Sequence, residues 1–497
     1  MTPARTLLAR ILDPGSWQSW DEPVPEFAAT EPYREMLDRA RADTGVDEAV
    51  TTGSGSIAGR RVAVIASEFG FLAGSVGVGA SRRIIDAIHR ATRERLPLLA
   101  TPASGGTRLQ EGTLAFVQMA RITGALTAHR AAGLPYLVYL RNPTTGGVLA
   151  SWGSLGHVTA AEPGALIGLL GPRVQRALYG EALPRDVQTA ENLHARGLVD
   201  AVVPPEDLRE IAARALAVLT APAVAAADPS PDPGPDELPA ALPEVAVWES
   251  VRRTRLAERP GVRALLKLAA SDVTPLSGTG AGERDDALML ALARFSSAPC
   301  VVLGQDRRSQ AAEHDLGPAG LREALRGIRL AGDLGLPLVT VVDTAGAVPS
   351  RSSEEGGLAG TIARCLADLI TLRSPTCCVL LGEGGGGTAL ALLPADRVLC
   401  AENGWLAPLP PEAMADILHR STSRASDVAA EQGIGAAALL AQGLVDRVIP
   451  ERPDAADEPE PFMRRLGHVL EVELRALLAE PAGQRLAARA ARYGAVQ

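Results

Sequence analysis

Apolar and polar positions alternate along this chain in two rhythms. Arg82–Pro97, RRIIDAIHRATRERLP, repeats its apolar residues at helical spacing, and the next stretch, PLLATPA, is a short apolar run of the kind that forms a buried strand. GIRLAGDLGLPLVTVVD follows the same order later, and YLVYL and CCVLL read as further buried strands. The first residues, MTPARTLLARILDPGSW, predict a short helix that breaks at Asp13-Pro14. From Ala221 to about Val245 the chain is rich in proline and acid without apolar periodicity, which predicts a linker. Strands alternating with helices predict parallel strands with helices packed around them, and ligands in such folds gather at the carboxyl ends of the strands.

The segments on either side of the linker resemble each other. Pro97 of ERLPLLATPASGG and Pro337 of LGLPLVTVVDTAGA stand 240 residues apart, as do Pro135 and Pro375, which open the next pair of strands. His157 of HVTAAEPGALIGL and Arg397 of RVLCAENGWLAPL repeat the offset of 240, and GLVDAVVP at Gly197 returns as GLVDRVIP at Gly443, 246 residues on. A recurring offset of this size is an internal duplication of a whole domain, too long for a solenoid repeat.

Glycines cluster where the predicted strands end: Gly105-Gly106 after LLATPAS, Gly146-Gly147 after YLVYLRNPTT, and Gly384 to Gly387 after CCVLLGE. A glycine pair at a strand-to-helix turn is either a plain tight turn or a place where backbone lies close to a ligand and offers it N–H groups. Two such N–H groups can hold a developing oxyanion. Repetition of the device in both copies favours the second reading, with two oxyanion holes serving two reaction partners. No GxSxG appears, and SGTGAGERD at Ser277 lacks the GK[ST] ending of a phosphate-binding loop. Glu68, Glu111, Glu354, Glu355 and Glu383 flank the glycine sites, as acid/base groups or simply as helix caps and solvated side chains.

Composition narrows the field. The 497 residues are 46% hydrophobic and 22% charged, enough for real cores in two to four domains, and the 3% aromatic content makes those cores aliphatic. A net charge of −9 argues against a nucleic-acid binder. The five cysteines form no CxxC and begin only at Cys300, and no HExxH occurs, so no metal site is expected. The N-terminal stretch has no small-residue cleavage site, which points to a cytoplasmic protein.

These motifs resemble a known family. FGFLAGSVGVGASRRI, ERLPLLATPASGGTRLQEG, GLPYLVYLRNPTTGGVLASWGSLGHVTAAEPGALIG and ENLHARGLVDAVV are similar to the β subunit of bacterial acetyl-CoA carboxylase carboxyltransferase. VWESVRRTRLAERPGVRALL, ALRGIRLAGDLGLPLVTVVDTAGAVPSRSSEEGG, VLLGEGGGGTALALLPADRV and GLVDRVIPE look like the α subunit. The resemblance implies an α/β fold of two tandem crotonase-like (ββα-spiral) domains. It gives an N-terminal helical extension over 1–59, a β-like domain on the acyl-CoA side over 60–220 and the linker over 221–245. An α-like domain on the biotin side follows over 246–480, then a helical tail over 481–497.

The implied activity is transfer of a carboxyl group from carboxybiotin, carried on a biotin carboxyl carrier protein and charged by biotin carboxylase, to acetyl-CoA or a related acyl-CoA. By the same resemblance Gly146 and Gly147 hold the thioester oxyanion, with Gly74, Ser75, Gly105, Gly106 and Arg108 shaping the acyl-CoA pocket. Gly386 and Gly387, or Thr388 as second donor, serve the biotin ureido oxygen, beside Gly346, Ala347, Gly384 and Gly385. No tightly bound cofactor is implied, and the smallest active unit is a homodimer in which the acyl-CoA half of one protomer faces the biotin half of another.

Four departures from the family pattern stand out. The four-cysteine zinc ribbon of the β subunit has no counterpart, DTPGA reads DTAGA with Ala345, and EGGSGGA reads Glu383 to Ala389 with Thr388 at a glycine position. Leu358 also replaces a polar residue. A malonyl-thioester decarboxylase using the same oxyanion holes, or a catalytically weak scaffold subunit, are the alternative functions.

Overall fold

In the computed structural model, which describes residues 2–24, 30–221, 245–310 and 316–494, the apolar runs form strands and the segments between them helices. Most of the expected linker, 222–244, lies outside the described residues. The chain divides into two compact units, one drawn from Met1–Thr220 with Gly280–Gly282 and the other from Ala221–Thr279 with Glu283–Gln497.

The first unit contains β1 (Gln18–Ser19), β2 (Val50–Ile57), β3 (Arg60–Ser67), β4 (Leu98–Thr101), β5 (Tyr136–Leu140), β6 (Thr144–Thr145), β7 (Val158–Ala161), β8 (Ile167–Gly168) and β9 (Ala201–Val202). Its sheet runs β1-β2-β3-β4-β5-β7-β9, with β6 and β8 paired separately. The second unit contains β10 (Ser271–Leu276), β11 (Leu288–Phe295), β12 (Ala298–Gln305), β13 (Leu338–Thr344), β14 (Thr376–Gly384), β15 (Arg397–Ala401) and β16 (Arg447–Ile449), in one sheet ordered as the chain runs. The two sheets are built alike, as the duplication requires.

Neither sheet is wholly parallel. From β3 to β9, and from β12 to β16, every neighbour is parallel. The edges β1-β2-β3 and β10-β11-β12 are antiparallel. The cause is local. Ile57 pairs with Arg60 across Ala58-Gly59, both left-handed (φ 48° and 77°), a tight hairpin turn that leaves no room for a crossover. Residues 1–59, expected as a helical extension, therefore add two strands to the sheet besides the helices Ala4–Ile11 and Glu31–Thr44.

Helices Val78–Arg93 and Gly112–Ala131 cover the first sheet, and Pro318–Leu334 and Leu358–Thr371 their counterparts in the second. Val78–Arg93 buries Ala80, Ile84, Ala87, Ile88 and Ala91, one stripe at helical spacing, against Ile65, Leu98 and Val138 of the sheet. The long helix Pro459–Ala479 buries Phe462, Leu466, Leu470, Leu474 and Leu477 against the second sheet, in the core that also holds Cys300 and Cys377. All five cysteines are buried, and burial pushes their thiols up. They are packing groups. The last helix, Ala482–Gly494, is anchored by buried Arg489, which pairs with Asp396 at 2.6 Å.

Candidate functional site

In the first unit three loops meet at the carboxyl ends of β4 and β5. Leu72, Ala73 and Gly74 are successive left-handed residues (φ 45°, 56° and 63°), which turns the chain onto the loop after β4. Gly105 N donates to Ala73 O (2.9 Å), Val76 N to Gly106 O (2.9 Å) and Arg108 N to Val76 O (3.0 Å). A side chain at Gly74 would run into the Ala103 carbonyl, so only glycine fits there. Ser104 Oγ ties the loops together, donating to Gly74 O (2.6 Å) and accepting from Gly106 N (3.0 Å).

The third loop carries Gly146-Gly147. Thr145 N donates to Ser104 O (2.9 Å) and Gly146 N to Leu169 O (3.0 Å). Gly146 is left-handed (φ 64°), and a Cβ on Gly106 would lie 3.2 Å from its Cα, so the two backbones cross in near contact. The next amide, Gly147 N, opens the short helix Gly146–Leu149 and has no acceptor among the described residues. Gly74, Ser75, Gly105, Gly106, Gly146 and Gly147 thus lie on three adjoining loops, with Gly147 half-buried where they meet.

The second unit repeats this construction at an offset of 240 residues. Gly385 N donates to Thr344 O (2.9 Å) and Gly386 N to Ala407 O (3.0 Å), as Thr145 and Gly146 do in the first unit. Thr344 Oγ1 accepts from Gly346 N (3.2 Å) in the role of Ser104. Gly346 and Gly386 have φ 118° and 68°, against 107° and 64° for Gly106 and Gly146. Gly387 is the exposed amide without an acceptor among the described residues. Thr388 corresponds to Val148, not to a glycine of the pair: it is fully buried and its carbonyl accepts from Gln305 (2.8 Å). By this offset the counterpart of Gly147 is Gly387. Gly384 and Gly385 are buried in the wall, against Trp405 O and Ala345 O, while Gly346 and Ala347 lie half-buried at the rim.

Arg108 does not line an open pocket. Its guanidinium is 1% exposed and bound by Glu48 (3.0 Å to Oε2), the Ser75 carbonyl (2.7 Å), Tyr33 and Glu111. Burial pulls its pKa down, but the Glu48 carboxylate and Tyr33 outweigh that and push it up. It positions the loop that carries Ser75. Of the flanking acids, Glu111 accepts from Tyr33 and from Val78 N at the head of the helix Val78–Arg93, and Glu68 accepts from Ala4 N (2.8 Å). Glu383 pairs with Arg255 (2.9 Å), Glu355 with Arg351 (2.8 Å), and Glu354 is exposed. Glu111 and Glu68 bind backbone amides, Glu383 and Glu355 are ion-paired, and Glu354 is a solvated side chain.

The residues that sequence reasoning passed over are Ser104, Thr344 and Asp343. The first two were detectable, since they are hydroxyls at the same 240-residue offset. Asp343 ends the apolar strand β13, 2% exposed, with Glu383 N donating to Oδ1 (3.2 Å) and Arg307 3.5 Å from Oδ2. Burial pushes its pKa up to about 6 against the pull of Arg307 and Arg259. Among the described residues no group of three His, Cys, Asp or Glu could hold a metal ion.

Comparison with known proteins bears on this geometry. Residues 4–486 match the carboxyl transferase domain family. A Mycobacterium tuberculosis protein named "Probable biotin-dependent acyl-coenzyme A carboxylase beta3 subunit" is 55% identical over 483 residues, covering 97% of this chain and 96% of that one. The "Acetyl-coenzyme A carboxylase carboxyl transferase subunits beta/alpha" of Salinispora arenicola is 38% identical over 478 residues, covering 92% and 84%. Among solved structures, transcarboxylase 12S aligns with a TM-score of 0.72 at 22% identity over 94% of this chain and 89% of that one, a likeness of fold.

Proposed function

We infer, from a chain that belongs to the carboxyl transferase domain family, that it is the carboxyltransferase component of a biotin-dependent acyl-CoA carboxylase, with acetyl-CoA or a related acyl-CoA as acceptor. The observation that carries the mechanism is the pair of matched cradles, in each of which a glycine at the head of a short helix, Gly147 or Gly387, has an amide without an acceptor among the described residues. Carboxybiotin, brought by a biotin carboxyl carrier protein and charged by biotin carboxylase, supplies the carboxyl group. The residues fit such a group: a Cβ at Gly386 would lie 3.6 Å from Pro408 O and 3.8 Å from Gly346 Cα, main-chain atoms both, and the nearest side chain to a Cβ on Gly387 is the apolar Ile362, at 2.9 Å.

Gly147 N–H donates to the thioester oxygen as negative charge builds there when the α carbon loses its proton. One such donor lowers the barrier by roughly 3 kcal/mol in characterised enzymes. Gly387 N–H donates to the ureido oxygen and so favours release of the carboxyl group. No side chain of the cradles is placed as the base, consistent with a proton taken up by the departing ureido nitrogen. The working assembly is a cytoplasmic homodimer or a larger homo-oligomer.

The test uses the whole protein with biotinylated carrier, biotin carboxylase, ATP and labelled bicarbonate, offered a panel of acyl-CoAs. Label in an acyl-CoA product that depends on the carrier is the expected result. Carrier-independent loss of carboxylate from malonyl-CoA, with no fixation, would replace this reading by a decarboxylase.

A further inference from the structure

We propose that an apolar cavity beside Gly146 receives the hydrocarbon chain of the acyl thioester, so that this enzyme prefers acyl-CoAs longer than acetyl; the proposal rests on the carboxyltransferase reading. The cavity has a volume of about 660 Å³ and is walled by Leu169, Leu170, Tyr179, Leu183 and Pro184. That is the size of a pocket for a substantial ligand, far more than the single methyl of an acetyl group fills. Glu181 is its only charged lining residue, so the cavity suits hydrocarbon better than a second carboxylate or a phosphate.

Position links it to the chemistry. β6 pairs with β8, Thr145 opposite Gly168, so Leu169 and Leu170 run directly on from the strand beside the oxyanion glycines. The Leu169 carbonyl is the acceptor for Gly146 N, one residue before the unpaired amide. A thioester held at Gly147 has this wall as its neighbour.

The wall is built rather than left over. Gln175, 7% exposed, donates from Nε2 to Leu170 O (2.9 Å) and accepts from Leu183 N (3.0 Å), fastening the two sides of the cavity to each other. Gln188 donates to the same Leu170 carbonyl (3.0 Å). The helix Pro172–Tyr179 between them starts on proline and ends on left-handed Gly180. Yet the lining side chains stay open to water: Leu169 is 62% exposed, Leu183 51% and Tyr179 71%. Backbone and glutamines thus hold an apolar concavity open for a ligand, and its lining residue Leu169 is hydrogen-bonded directly to Gly146.

The experiment compares acetyl-, butyryl-, octanoyl- and lauroyl-CoA in the coupled carboxylation assay. In parallel, the shift in melting temperature caused by each CoA ester is read without carrier. Each buried methylene raises affinity about fourfold, so kcat/KM should rise about fifteenfold from acetyl to butyryl and further until the cavity is filled. Leu183→Trp, which fills the cavity from an exposed position, should cut the octanoyl-to-acetyl ratio at least tenfold, and Leu183→Ser should move the optimum to longer chains. A profile that favours acetyl-CoA and ignores both substitutions overturns the proposal while leaving carboxyl transfer intact. A change in mass by light scattering with an unchanged profile also overturns it, and makes this face a contact between copies of the chain. Absence of any carboxylation, with melting shifts that grow with chain length and vanish in Leu183→Trp, keeps the pocket and removes the carboxyltransferase reading.

Discussion

Glu323 is the carboxyl whose replacement should most visibly change how this protein responds to pH. It stands on the helix Pro318–Leu334, 2% exposed, and accepts from Gly278 N at 2.9 Å, while its other oxygen has no hydrogen-bond partner among the described residues. Burial, partly offset by that amide and by Arg326, pushes its pKa from an ordinary 4.5 up to about 7. In the unfolded chain the group ionises near pH 4.5, whereas the folded protein keeps it protonated up to about pH 7. Stability is therefore lost as pH rises through that window and is flat above it.

The gap between the two values corresponds to at most about 3 kcal/mol. Glu323→Gln keeps the acceptor for Gly278 and removes the charge. At pH 8 the variant should melt about 5–10 °C higher than the parent, and at pH 4.5 the two should coincide. Differential scanning calorimetry across that range reads the difference directly. A variant destabilised equally at both pH values would refute the reasoning, showing that the carboxylate is paired in the folded protein rather than neutral.

Gly147→Val should lower kcat in the carboxylation assay by 10²–10³-fold or more while a folded melt persists, since φ at Gly147 is not left-handed and the new Cβ meets only the Thr107 and Met119 side chains, at 2.8 and 3.1 Å. Gly146→Ala should instead lower the melting temperature as well, because Gly146 is left-handed (φ 64°) with backbone 3.2 Å away, and equal melts for the two variants would contradict that distinction. Arg489→Met leaves Asp396 buried without its main partner and should cost about 3–5 kcal/mol in urea unfolding; a loss under 1 kcal/mol would mean that Arg485 takes over.

Much of the fold was legible because duplication prints the same text twice. The strand–glycine–helix turns could be located in both copies from Pro97 and Pro337 alone, and backbone hydrogen bonds follow that register. Other features were hidden by distance or by chemistry that carries little signal. The antiparallel edge depends on Ala58 adopting a left-handed conformation, which alanine does not advertise. Arg108 was expected to shape the acyl-CoA pocket because its partner Glu48 lies 60 residues earlier, in a stretch that read as a helical extension. Thr388 looked like a substitute for a glycine because spacing to Glu383 was the only guide. The left-handed φ of 68° at Gly386 shows instead that the register of the turn starts two residues before it.

The matched amides of Gly147 and Gly387 have a consequence for how such a protein can diverge. A peptide N–H belongs to every residue except proline, so a point substitution rarely deletes either donor; it can only crowd or tilt it. The side chains beside these amides, in contrast, such as Thr107, Met119 and Ile362, are free to vary one at a time. Reactivity and selectivity are thereby stored in different parts of the polymer. A lineage can exchange one acceptor for another by altering these side chains while the chemistry passes on intact in the course of the main chain.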